Sequence, residues 1–124
     1  MMTPLSDTIA ERRDSLIALT QDLIRIPTLN PPGADYHVIC EYLSSRLRAR
    51  GFATQMIRAT GTPGDSDKYP RWNMIARHEG RHSGDCVHFN SHTDVVEVGK
   101  GWTHDPFGGT VLDGKIFGRG ACDM

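Results

Sequence analysis

The sequence contains no apolar stretch approaching the roughly 20 residues that a membrane-spanning helix requires. Its first residues, Met1 to Asp7, lack a basic segment followed by an apolar one, so neither a membrane span nor a secretory leader is expected. The expectation is a soluble, cytoplasmic protein. An excess of one charge is also missing: 14 Lys+Arg stand against 15 Asp+Glu, which excludes the basic field that holds nucleic acid. Cysteine is scarce. Cys40, Cys86 and Cys122 are odd in number and widely spaced, which fits reduced thiols rather than a disulfide frame or a zinc ribbon. Residues 61–67 are rich in breakers but lack the Gly-Lys-Ser/Thr ending of a P-loop, and read as a mobile surface loop. With no internal repeat and no low-complexity tract, residues 1–124 make at most one domain, long enough for a real core.

The elements follow from periodicity. Ile9, Leu16, Leu19, Leu23 and Ile26, widened by Ile17 and Ile24, recur at helical spacing and predict a helix over 7–26. Thr8-Ile9-Ala10-Glu11 has the form of a capping box at its start, and Pro27 ends it. Pro31-Pro32-Gly33 forces a loop. Val38, Ile39, Tyr42, Leu43 and Leu47 then trace a second helix, which Gly51 terminates behind the dipole-compatible Arg46, Arg48 and Arg50. Short β runs follow at 52–58, 72–77 and 86–91, and Asp113-Gly114 between 110–112 and 115–117 is a two-residue hairpin signal. Helices followed by strands that alternate with loops predict part of an α/β sheet, whose ligands usually sit beyond the carboxyl ends of the strands.

His92-Thr93-Asp94 stands at such a position, after the apolar run 86–91, which reads as a buried strand. Imidazole nitrogen and carboxylate oxygen are good zinc ligands, and a carboxylate two residues away can fix the ring orientation of the histidine. His37, His78, His82 and His88 read as structural or surface residues. His104 lies nearer the candidate site in sequence but reads as a solvated loop histidine.

Ser91-His92-Thr93-Asp94-Val95-Val96, then Trp102 with Asp105-Pro106-Phe107, then residues 113–124 ending Gly118-Arg119-Gly120-Ala121-Cys122-Asp123-Met124, resemble the zinc-dependent aminoacylase and carboxypeptidase family. This is the metallopeptidase family of acetylornithine deacetylase and succinyl-diaminopimelate desuccinylase. Ile26-Pro27-Thr28 and Asn30-Pro31-Pro32-Gly33 resemble the same family's N-terminus.

The resemblance implies an α/β catalytic domain with helices packed on a mixed, largely parallel sheet, of which residues 1–124 are the N-terminal portion. It implies that His92 ligates one metal, that Asp94 is the catalytic carboxylate orienting that imidazole, and that Asp123 bridges two zinc (or cobalt) ions. A cis peptide would follow Asp123. Gly118, Arg119 and Gly120 would shape the turn that presents Asp123, while Trp102 and Asp105-Pro106-Phe107 would serve loop packing first and the substrate rim second. The implied reaction is metal-assisted hydrolysis of an amide in an N-acyl amino acid or a short peptide, deacylation being favoured over di- or carboxypeptidase action. The implied general base, a glutamate, and the remaining ligands lie beyond Met124, as does the smaller domain through which such enzymes dimerise. The 124 residues alone are therefore expected to bind metal weakly and to be inactive. The rival readings are a noncatalytic metal-binding or interaction fragment, and a structural α/β domain with a coincidental His-x-Asp.

Overall fold

The structure, a computed structural model, describes residues 4–82 and 84–123. In chain order its elements are α1 (Leu5–Glu11), α2 (Arg13–Ile24), α3 (Tyr36–Arg48), β1 (Ala53–Arg58), β2 (Trp72–Arg77), β3 (Thr110–Leu112) and β4 (Lys115–Phe117). The chain falls into two compact units, one formed by the residues up to Ile26 with Val98–Asp123 and the other by Pro27–Glu97. Among the described residues no helix is long and apolar enough to cross a membrane.

In the first unit the expected single helix over 7–26 is two helices. The chain leaves helical geometry at Arg12 (φ −99°, ψ 6°), whose N–H bonds back to Ile9 O in a tighter turn at 3.1 Å. α1 buries no side chain, so no packing holds it in line with α2, and propensity alone does not sustain one turn more. The capping box is absent as well. The helix begins at Leu5 behind Pro4, and Thr8 Oγ1 donates backward to Pro4 O at 3.5 Å. α2 is fixed at its far end, where Gln21 Nε2 donates to Gly109 O at 2.7 Å and Arg25 Nε to Gly108 O at 3.3 Å. β3 and β4 pair antiparallel, Leu112 opposite Lys115, across a turn with positive φ at both Asp113 (49°) and Gly114 (72°). That is the type I′ geometry the dipeptide predicts.

In the second unit α3 packs on an antiparallel ribbon of β1 and β2, with Gln55 opposite Ile75. Ile39, Cys40 and Ser44 are the residues α3 buries, and Ser44 Oγ meets Thr54 Oγ1 at 2.6 Å. α3 ends as Gly51 requires: with Gly51 at φ 84°, its N–H bonds Arg48 O (3.0 Å) and the Phe52 N–H bonds Leu47 O (3.1 Å). The two bonds together form a Schellman motif.

Two expectations change. Residues 86–91 form no strand, and Val87 and Phe89 are 76% and 89% exposed rather than buried. Apolar character makes a segment suitable for a sheet, but a strand exists only when a neighbour takes its backbone donors and acceptors, and none of the described residues ladders with 86–91. Residues 61–67 are anchored rather than loose. The buried Asp65 carboxylate accepts from Arg58 Nε at 3.3 Å, the Gly61 N–H at 3.2 Å and the Arg71 N–H at 3.0 Å. The class is α/β. Both strand ladders among the described residues are antiparallel, and a single parallel bridge joins Leu29 to Val95. The expected cis peptide after Asp123 lies outside the described residues.

Candidate functional site

His92 and Asp94 are located by the segment that follows α2. Pro27 halts the helix, and an isolated parallel bridge between Leu29 and Val95 sets residues 28–30 alongside 93–95. Thr28, only 1% exposed, donates its hydroxyl to Thr93 O at 2.5 Å. The Val95 N–H reaches Thr28 O at 2.9 Å, and the Asn30 N–H reaches Val95 O at 2.8 Å. These bonds fix the backbone on either side of Asp94, so its side chain leaves a rigid base.

The Asp94 carboxylate then serves two neighbours. Oδ1 lies 3.2 Å from His92 Nδ1, and Oδ2 accepts from Asn30 Nδ2 at 2.8 Å. The Asp94 charge also acts on the Tyr36 hydroxyl. Burial acts to raise the Asp94 pKa, but the bonds from Asn30, its own backbone N–H and His92 outweigh it and hold the group below the ordinary carboxylate range. Tyr36 is pushed the other way, by burial first and then by the charge of Asp94, with Arg71 opposing. His92 Nδ1 faces the Asp94 main-chain oxygen too, at 3.1 Å. With two acceptors against Nδ1, the neutral ring keeps its proton there and its lone pair on Nε2, the tautomer a metal-ligating histidine needs.

Behind this pair stands Arg71, whose Nη1 donates to Asn30 Oδ1 at 3.1 Å and to Tyr36 Oη at 3.0 Å. Asn30, Tyr36 and Arg71 are the site residues that sequence reasoning missed. Asn30 was visible only as part of an Asn-Pro-Pro-Gly block, and nothing in the residues around Arg71 marks it.

Asp123 belongs to the other compact unit and is exposed. A turn precedes it. Gly120 has φ 87°, and the Ala121 N–H bonds Gly118 O at 3.2 Å. Arg119 packs over the Trp102 ring at 5.3 Å, donates Nη2 to Val98 O at 3.2 Å and donates its backbone N–H to Pro106 O at 2.7 Å. Asp105 Oδ1 accepts the Phe107 N–H at 2.9 Å, so this loop is organised by packing and local hydrogen bonds. Thus His92 and Asp94 meet directly. Among the described residues no group of three or more His, Cys, Asp and Glu gathers as a metal site. His37, His78 and His104 rest on Trp72, Phe52 and Phe117 at ring distances of 5.0, 5.0 and 4.4 Å, which is packing.

Residues 88–124 match the model of peptidase family M20/M25/M40. The chain is 38% identical over 114 residues to a succinyl-diaminopimelate desuccinylase of Methylobacterium radiotolerans, covering 90% of this chain and 26% of that protein. It is 38% identical over 110 residues to the protein of that name from Cereibacter sphaeroides, covering 87% and 26%. Succinyl-diaminopimelate desuccinylase 2 of a Ruegeria species is 36% identical over 125 residues, covering 99% and 29%. The chain thus spans about a quarter of the length of these relatives. With the matched block running through His92, Asp94 and Asp123, and the similarity extending back over the helices and Asn30, the chain is similar to peptidase family M20/M25/M40 and to its desuccinylases along most of its length.

Proposed function

We propose that the protein works as a metal-dependent hydrolase that removes the acyl group of an N-acyl amino acid, succinyl-diaminopimelate being the first substrate to test. The observation that carries this is the His92–Asp94 pair, an imidazole whose Nδ1 is held by a carboxylate at 3.2 Å, in a chain similar to desuccinylases. The donor set fits a metal. His92 would ligate through Nε2, Asp94 would keep the ring proton on Nδ1, and Asp123 would supply carboxylate oxygen to the metal. The chemistry that zinc or cobalt supplies when bound is Lewis-acid polarisation of the amide carbonyl and acidification of a water. Three protein ligands are usual for a catalytic zinc, so His92 and Asp123 would be part of the set.

In this reading residues 1–124 are the N-terminal portion of a catalytic domain on a mixed, largely parallel sheet, for which the Leu29–Val95 bridge is local support. The working enzyme would be a cytoplasmic homodimer, acting on a small molecule and on neither nucleic acid nor membrane.

The test is amine release from succinyl-diaminopimelate, acetylornithine and dipeptides by metal-loaded protein from the complete coding sequence. Succinyl-diaminopimelate should give the highest kcat/KM. Chelation, His92→Ala and Asp123→Ala should each lower turnover by about 100-fold or more, since partners one shell further out already cost up to that. Unchanged hydrolysis in both variants would sink the assignment, whereas faster cleavage of another substrate would move only the acyl preference.

A further inference from the structure

We infer that Arg71 is a positioning residue that sets the hydrogen-bond polarity around Asp94, and through it the orientation of His92 and the affinity for metal. The inference rests on the metal-hydrolase reading of His92.

Arginine is a donor only, with five N–H groups and no acceptor. Asn30 and Tyr36 are each able to turn either a donor or an acceptor toward Asp94. Arg71 Nη1 removes that choice, because it occupies Asn30 Oδ1 and the Tyr36 oxygen. The Asn30 amide must then face Asp94 with its NH2, as it does at 2.8 Å, and the Tyr36 hydroxyl, its oxygen occupied by Arg71, can turn only its proton toward the Asp94 charge. Without Arg71, a flipped Asn30 amide would set a carbonyl oxygen against the carboxylate. The donor relay thus runs from Arg71 through two neutral groups to Asp94 and then to His92.

The guanidinium is itself held. The Arg71 N–H bonds Asp65 Oδ1 at 3.0 Å and its carbonyl accepts the Ala59 N–H at 2.8 Å, which pins the main chain. The side chain runs between two glycines. A Cβ at Gly33 would come within 2.6 Å of Nη1, and one at Gly64 would press on Nη2. Both glycines have positive φ, 95° and 83°. Two backbone segments bare of side chains therefore make room for one guanidinium.

The experiment is zinc titration of the metal-free full-length protein against a competing chelator, comparing Arg71→Lys, Tyr36→Phe and Asp94→Asn singly and in pairs. Arg71→Lys and Tyr36→Phe should each weaken zinc about tenfold, the low end for partners outside the ligand shell. In the Asp94→Asn background the same two substitutions should have no further effect, because the relay acts only through that carboxylate. In metal-free protein, nitrogen NMR should show His92 losing its preference for the Nδ1–H tautomer in both variants. Equal losses with and without Asp94, or no loss at all, would overturn the inference. Tyr36→Phe removes one oxygen and keeps the shape, so it decides the matter if Arg71→Lys fails to fold. His92→Ala separates the two readings: zinc affinity unchanged there removes the metal-hydrolase reading, while its loss alongside normal binding by Arg71→Lys removes only the relay.

Discussion

Thr28 exposes 1% of its surface, yet it carries a hydroxyl, and that hydroxyl is satisfied by Thr93 O. The same residue accepts the Val95 N–H through its carbonyl, so one buried threonine holds the backbone on both sides of Asp94. Thr28→Val keeps the shape and strands the Thr93 carbonyl. The expected loss is about 1–3 kcal/mol, the desolvation penalty of a buried group left without its partner. Urea denaturation would give that loss, and a midpoint equal to the parent's would show the bond to be dispensable. Asp94→Asn acts at the same scale on chemistry rather than stability. It replaces the carboxylate facing His92 Nδ1 with a neutral amide and should weaken zinc about 10–100-fold, measured by chelator competition.

Gly118 illustrates how an element is seated. A Cβ there would lie 2.5 Å from Ile24 Cγ2 and 2.9 Å from Cδ1, and Ile24 is the buried residue of α2. Gly118→Ala should cost about 1–3 kcal/mol through overpacking, and the cost should shrink in an Ile24→Ala background. Urea midpoints of the four proteins test the pair. The loop anchored by Asp65 makes a prediction in pH. Its carboxyl is held below the ordinary range by the Arg71 N–H first, against burial, with Gly61 and Arg58 helping. A depressed folded pKa means stability that is fully present above the unfolded value, about 3.9, and is lost as pH falls through it toward the lower folded value. Asp65→Asn should therefore flatten the decline of stability below about pH 4, read from urea midpoints across that window. Elements governed by local chemistry were legible in this way: the Asp113-Gly114 turn, the Gly51 terminus and β2 all follow from residues adjacent in sequence. The run 86–91 was not, because a strand depends on a neighbour that its own residues do not specify.

The whole molecule shows the same division at the candidate site. His92 and Asp94 are two residues apart, so their meeting was readable from spacing. Asn30 reaches Asp94 across 64 positions, and Arg71 reaches Asn30 across 41 and Tyr36 across 35. No local pattern encodes such contacts, because they depend on the path of the chain between α2 and β2. That path creates a relay around one imidazole, and its consequence should be visible in the stability of the full-length protein. A ligand that binds only the folded state adds stability by mass action, about 2.7 kcal/mol at a hundred times its Kd. Zinc should therefore raise the melting temperature in a concentration-dependent way, and a chelator should reverse the rise. His92→Ala should abolish it, whereas Thr28→Val should melt lower yet retain a zinc-dependent increment, because its lesion is in the support and its ligand atoms remain. If His92→Ala keeps the full increment, zinc stabilises the protein from elsewhere, and the His92–Asp94 pair has no claim on the metal.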